Sequence, residues 1–226
     1  MTIYPSHHER RLGWCYFAFQ LLLLPSLLTQ GNLLLKKPLD DAGINFLFFA
    51  LNFLAYSWIF RTFLANSLRY TGRHLFPFLY CAAIGIAGYE FWTECVTALI
   101  FRLDPGFVNF NNENILRLAG SNRLLMALGT IALAPLGEEL IFRELVFHGL
   151  FRRSRVAAYC LSAALFSLIH MLNYLGSFSP EQLALAFLQY LPAGIFLAWS
   201  YHQSGSFLCP VAIHAIINAR SVWQYF

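Results

Sequence analysis

Charged side chains are scarce in this chain of 226 residues. Only 12% of its residues are Asp, Glu, Lys or Arg, whereas 58% are hydrophobic and 17% are aromatic. A soluble domain usually carries about 25% charged residues. This shortfall, together with a mean hydropathy of +0.57 and repeated long apolar runs, indicates a polytopic protein of the lipid bilayer rather than a soluble domain.

Several patterns that mark other functions are missing. None of the five cysteines belongs to a CxxC pair, and each lies in or beside an apolar run, so we interpret them as small buried residues and expect no disulfide framework. The net charge of +4 comes mainly from arginines in loops. No basic run is interleaved with stacking aromatics, so we expect no nucleic-acid partner. Nothing in the sequence indicates an oligomeric state.

The apolar runs predict an all-α, polytopic transmembrane helix bundle. A span needs about 20 mostly apolar residues. On that rule we expect seven helices near residues 12–29, 44–65, 76–101, 122–151, 155–175, 182–201 and 205–224. The longest polar connection, 102–121, carries turn residues and is expected to be a surface loop or an interfacial hairpin.

The loop arginines give a prediction of topology. Cytoplasmic loops are enriched in Lys and Arg, and the turn Arg152–Arg153–Ser154–Arg155 is the most basic one in the chain. We therefore expect the N-terminus and this turn to be cytoplasmic. From this we also expect the functional site to be reached from the cytoplasmic side.

Glu138, Glu139 and Arg143 lie inside one of the apolar runs. Charged residues are costly in a membrane and mark a functional site by default. Glu139 and Arg143 are four residues apart, so they share a helix face and can form an ion pair. Glu138 points to a different neighbour and stays available as a general base. The alternative is a structural ion pair that holds helices together.

Two further polar pairs follow in later apolar runs. His170 lies one turn after Phe166, which could pack beside its ring, and His214 lies one turn before Asn218. An imidazole and an amide on one helix face can donate hydrogen bonds to a developing oxyanion. Each pair on its own is also compatible with polar contacts between helices, which are common in membrane bundles.

Combined, these residues form a hydrolytic set. A water held by Glu138 and His170 could attack an amide carbonyl, and His214 with Asn218 could stabilise the resulting oxyanion. Other readings are a non-catalytic immunity or peptide-binding membrane protein, and a small transporter that uses the carboxylates as a relay. The complete four-residue set argues against the former, and the lack of an internal repeat argues against the latter.

The motifs EExxxR, FxxxH and HxxxN, in this order and each in its own apolar run, resemble the CPBP family of CAAX proteases and bacteriocin-processing enzymes, also called the Abi family. The resemblance covers roughly residues 120–222. It implies a helical bundle around a water-filled polar cavity, and an intramembrane endopeptidase acting on a membrane-anchored, possibly lipidated protein or peptide. The residues that carry the resemblance are Glu138, Glu139, Arg143, Phe166, His170, His214 and Asn218.

By this resemblance the first Glu and the first His activate water, the second His and the Asn form the oxyanion site, and the pair Glu139–Arg143 supports them. The resemblance also divides the chain into N-terminal helices and a loop at 1–120, without a matched motif, and a catalytic core at 121–226. We expect the two parts to form one integral membrane domain.

A metal is the open point about cofactors. Two histidines and a glutamate can form a catalytic zinc set, which here would be Glu138, His170 and His214. HExxH is absent, however, and a water activated by glutamate explains all four residues without a metal. We therefore expect no cofactor, with zinc as the alternative.

Overall fold

The computed structural model describes residues 4–223. In this part the chain is 85% helical, forms nine helices and has no strand, which confirms the all-α prediction. The helices are α1 (His7–Leu22), α2 (Leu24–Leu33), α3 (Asp41–Ile59), α4 (Arg61–Arg73), α5 (Leu75–Leu103), α6 (Phe110–Phe151), α7 (Arg155–Ile169), α8 (Pro180–Ser204) and α9 (Leu208–Trp223).

Fewer helices than expected have the length and composition of a span. Among the described helices, α3, α5, α6 and α8 are long and apolar enough to cross a membrane, and α1 and α2 make a fifth candidate if this pair, bent by 49°, counts as one. The prediction of seven spans is therefore too high by this measure. The chain remains a multi-pass membrane protein.

Two boundaries differ clearly from the sequence prediction. The predicted helix at 44–65 is broken at Phe60, which separates the apolar α3 from the more polar α4. The predicted loop at 102–121 is mostly helical, because α6 begins at Phe110 with Asn109 as its N-cap, and the Asn109 side chain accepts a hydrogen bond from the backbone of Asn112. Asparagine is among the preferred N-cap residues.

The helices that carry the motifs pack around one core. α8 lies between α5 and α7, and α9 contacts α5, α6 and α8. At Gly194 the two backbones of α8 and α7 approach so closely that a Cβ there would lie 2.7 Å from Cα of Ala163. Small residues allow membrane helices to pack in this way. Close packing brings α6, α7 and α9 together at the site.

Candidate active site

The glutamate pair lies on an irregular stretch of α6. Two π-helical segments, Leu128–Leu133 and Leu140–Phe147, flank a short α-helical piece that contains Pro135. Proline has no N–H and its ring clashes with the carbonyl four residues earlier, so it disrupts the hydrogen bonding of a regular helix. Such π segments are frequent at functional sites.

Glu138 faces both histidines. Its Oε2 atom lies 3.7 Å from Nε2 of His214 and 4.0 Å from Nε2 of His170. Both distances are too long for direct hydrogen bonds. The Oε2 atom is buried and has no hydrogen-bond partner among the described residues, although 23% of the side chain is exposed. Three polar atoms thus surround a space without bonding one another directly, which is the spacing that a bridging water satisfies.

Both imidazoles are oriented through their Nδ1 atoms. Nδ1 of His170 lies 2.8 Å from the carbonyl oxygen of Phe166, and Nδ1 of His214 lies 2.9 Å from Oε1 of Glu139. The carbonyl oxygen of Phe166 can only accept a hydrogen bond, and so can the carboxylate of Glu139 when it is ionised. Nδ1 therefore carries the proton in both rings, and Nε2 faces the space beside Glu138.

Glu139 and Arg143 form the buried ion pair that their spacing predicts. Nε of Arg143 donates to Oε2 of Glu139 at 2.7 Å, and both side chains are completely buried. The guanidinium also donates to Oγ of Ser162 at 2.6 Å, and Ser162 donates onward to the carbonyl of Phe142 at 2.9 Å. Glu139 therefore links Arg143 to His214, whereas the sequence analysis paired it with Arg143 alone.

Phe166 packs against three members of the set. Its ring centroid lies 4.7 Å from that of His170 and 5.5 Å from that of His214, and the guanidinium of Arg143 lies 5.3 Å from it. A cation over an aromatic face is attracted by the ring quadrupole. The expected contact between Phe166 and His170 is present, and the ring also contacts His214 and Arg143.

Asn218 lies one turn after His214 on α9. Its Nδ2 atom donates to the carbonyl oxygen of Thr130 at 2.8 Å. Thr130 belongs to the first π segment of α6. This hydrogen bond uses one of the two amide protons, so one donor remains.

A small cavity reaches the site at His170. Its volume of about 10 Å³ is the size of a single water molecule. Tyr190 lines it and stacks on the His170 ring, with centroids 4.6 Å apart. The hydroxyl of Tyr190 donates to Oδ1 of Asn109 at 3.2 Å, and Nδ2 of Asn109 donates to Oε1 of Gln189 at 2.5 Å.

The sequence was next compared with known proteins. Residues 120–220 match the family model "Type II CAAX prenyl endopeptidase Rce1-like". These residues form an Rce1-like CAAX protease domain. All seven motif residues lie within it, and the family is that of the CPBP resemblance. Comparisons with curated proteins and with solved structures gave no match.

The match to the Rce1-like family indicates the general activity of the chain. The chain is a hydrolase of the protease class and an intramembrane protease. The family also implies a membrane-associated, prenylated protein as substrate and a lipid bilayer as its surroundings.

The cavity at His170 opens far from the arginine turn. Helix α7 starts at Arg155 and its 15 residues end at Ile169, a length of about 22 Å at 1.5 Å per residue. His170 and the cavity therefore lie at the other end of α7 from Ser154. A substrate that enters from the side of the arginine turn would therefore have to reach the site by a path other than this cavity.

We tested whether the candidate ligands fit a metal. Within residues 4–223, no group of three or more His, Cys, Asp or Glu side chains is arranged to hold a metal ion. Glu138, His170 and His214 are near one another but do not meet this condition. We therefore derive no catalytic step through a metal.

Other polar residues of the sequence form separate contacts. Glu144 is fully buried, and its Oε2 atom lies 3.4 Å from Nδ1 of His148. Glu90 forms an ion pair with Arg220.

Ser162 and Thr130 were not predicted from the sequence as partners of the site. A serine on an apolar helix and a backbone carbonyl carry no pattern that distinguishes them. Tyr190 does carry a sequence signal, because together with Gln189 and Pro192 it interrupts the apolar run of α8.

Proposed function

We propose that the chain hydrolyses a peptide bond of a membrane-anchored protein or peptide with a water activated by Glu138. The observation that carries this proposal is the spacing at Glu138, whose Oε2 atom lies 3.7 and 4.0 Å from Nε2 of His214 and His170. A water between them has two hydrogens, which it can donate to Oε2 of Glu138 and to Nε2 of His170.

Glu138 acts as the general base in this proposal. The carboxylate takes a proton from the water while the water oxygen attacks the carbonyl carbon of the scissile bond. His170 accepts the second water hydrogen through Nε2 and so fixes the direction of attack. When the tetrahedral intermediate breaks down, Glu138 returns its proton to the leaving amine. A positioned base of this kind contributes roughly 10²- to 10⁴-fold to a rate.

His214 and Asn218 stabilise the oxyanion. Asn218 supplies the amide proton that Thr130 does not use. His214 can donate through Nε2 only as an imidazolium, because Glu139 already accepts from Nδ1. The carboxylate of Glu139 then balances the positive charge of the ring. Removing one such donor from an oxyanion site typically lowers kcat by about 10²- to 10³-fold.

The first substrate class to test is a prenylated peptide that ends in a CAAX sequence, as the name of the family model suggests. Bacteriocin precursors and signal peptides with a membrane anchor are the second class, from the CPBP resemblance.

A cleavage experiment tests the function. A library of lipid-anchored peptides is incubated with purified wild type, with Glu138→Ala and with His170→Ala in detergent or liposomes, and products are identified by mass spectrometry. We expect wild type to cleave at least one class and both variants to lose cleavage. Robust cleavage by both variants would remove the proposed mechanism.

We also propose the orientation in which Ser154 is cytoplasmic. The aromatic contact between Tyr4 and His148 puts the start of the described chain at the same end as the arginine turn. A membrane-impermeant thiol reagent should therefore label Ser154→Cys from the cytoplasmic side only. Labelling of Ser154→Cys only from the outside would show the opposite orientation. In that orientation the cavity at His170 would face the cytoplasm.

A further inference from the structure

An open groove adjoins the small cavity at His170. Its volume is about 770 Å³, and it lies between the first turns of α6 and the segment that joins α7 to α8. Two aromatic residues, Phe110 and Tyr174, line both the groove and the cavity. The groove and the cavity at the histidine that we assign to water activation therefore share a wall.

We propose that this groove binds the substrate as an extended peptide next to the scissile bond. The inference rests on the proposed function and names the surface that the substrate occupies. Ligand sites usually have volumes of about 300–1,000 Å³, so the groove is large enough for a short peptide segment. Because the groove and the cavity share Phe110 and Tyr174, a peptide in the groove would place the bond at its end near His170.

The lining residues favour a peptide over a lipid chain. Phe110, Tyr174 and Phe178 supply aromatic groups to the groove, and Glu113, Asn114, Arg117 and Gln182 supply polar ones. An extended peptide offers a backbone N–H or C=O to such groups at every residue and a side chain to the aromatic rings. An acyl or isoprenoid chain offers no hydrogen-bonding group to these polar side chains.

The charges of the groove also suit a peptide of low net charge. Arg117 forms an ion pair with Asp41 and donates to Oδ1 of Asn114 at 3.1 Å. Glu113 adds one acidic group at the exposed rim. With the arginine already balanced, the groove is not a site for a strongly anionic ligand.

An aromatic contact separates the groove from the cavity. Phe110 packs on Phe178 and on Tyr174, and the hydroxyl of Tyr174 donates to the carbonyl of Phe110 at 3.2 Å. The cavity behind them has room for only one water. A bound peptide must therefore move at least one of these rings to bring its carbonyl to Glu138.

Photo-crosslinking tests the groove in the chain of 226 residues. The photoreactive residue p-benzoylphenylalanine replaces Gln182 in the groove, or Ser154 in the arginine turn as the control, each in a Glu138→Gln background that retains the substrate. The probe is a fluorescent farnesylated peptide that ends in a CAAX sequence, and wild-type cleavage of the same peptide is measured in parallel. We expect at least fivefold more labelling from position 182, and competition by the same peptide without its farnesyl group.

The outcomes separate this inference from the proposed function. If wild type cleaves the peptide and labelling from position 154 equals or exceeds labelling from position 182, the groove is not the substrate-binding surface. The proposed function then stands. Labelling at position 182 without wild-type cleavage supports the groove and contradicts proteolysis of this substrate class. Competition by farnesol but not by the unmodified peptide would show that the groove holds the lipid, which also overturns the inference. Absence of both cleavage and labelling rejects both proposals for this class.

Discussion

Glu139 accepts a hydrogen bond from Nδ1 of His214 at 2.9 Å while its other oxygen accepts from Arg143 at 2.7 Å. One carboxylate thus connects a structural cation to a histidine that faces the space beside Glu138. The two adjacent glutamates have different surroundings, since Glu139 is enclosed and fully bonded and Glu138 is partly exposed and has an unpaired oxygen. This difference gives the two residues separate roles and makes those roles testable.

Replacing Glu139 by Gln should reduce both stability and activity. The substitution leaves the buried guanidinium of Arg143 without a counter-charge, and breaking a buried ion pair in this way costs about 3–5 kcal/mol. Thermal unfolding in detergent and peptide cleavage are measured on the same preparation. A variant that unfolds at the wild-type temperature would show that the pair does not hold the helices together.

Ser162→Ala should destabilise the protein more than Ser167→Ala. Ser162 accepts from Arg143 and links it to the carbonyl of Phe142, whereas Ser167 donates only to the carbonyl of Ala163 in its own helix. Both serines are fully buried on α7, so they form a matched pair. Loss of a hydrogen bond to a charged group costs about 1.5–3 kcal/mol. Equal unfolding temperatures for the two variants would contradict the role of Ser162.

Asn218→Ala should lower kcat by about 10²-fold with a much smaller effect on stability. The variant loses both the bond to Thr130 and the free amide donor, and a single neutral hydrogen bond contributes only about 1 kcal/mol to folding. Steady-state cleavage and thermal unfolding separate the two effects. A normal kcat would exclude Asn218 from the oxyanion site.

Cleavage should persist in a strong chelator. Our mechanism assigns the activation of water to Glu138 and includes no metal-dependent step. Purified protein is dialysed against the chelator, its zinc content is measured by mass spectrometry, and cleavage is compared before and after. Stoichiometric zinc whose removal abolishes cleavage, and whose return restores it, would replace this mechanism by one in which Glu138, His170 and His214 act as ligands.

The sequence predicts the helical class and the residues that meet at the site, because charged residues in apolar runs are few and their spacing fixes which ones share a helix face. It does not predict that His214 bonds to Glu139, since the rotation of α9 against α6 depends on packing between helices. The break at Phe60 and the helical start of α6 at Phe110 were also missed. Apolar length alone cannot mark a break, and an N-cap asparagine in a polar stretch also suits a loop.

The central claim is that Glu138 is the base, and the most direct measurement is cleavage by Glu138→Gln. The amide has nearly the same shape as the carboxylate, and this side chain is partly exposed and makes no hydrogen bond through Oε2. The variant should therefore unfold near the wild-type temperature and lose roughly 10²- to 10⁴-fold in kcat. A folded Glu138→Gln protein with wild-type kcat would contradict the account.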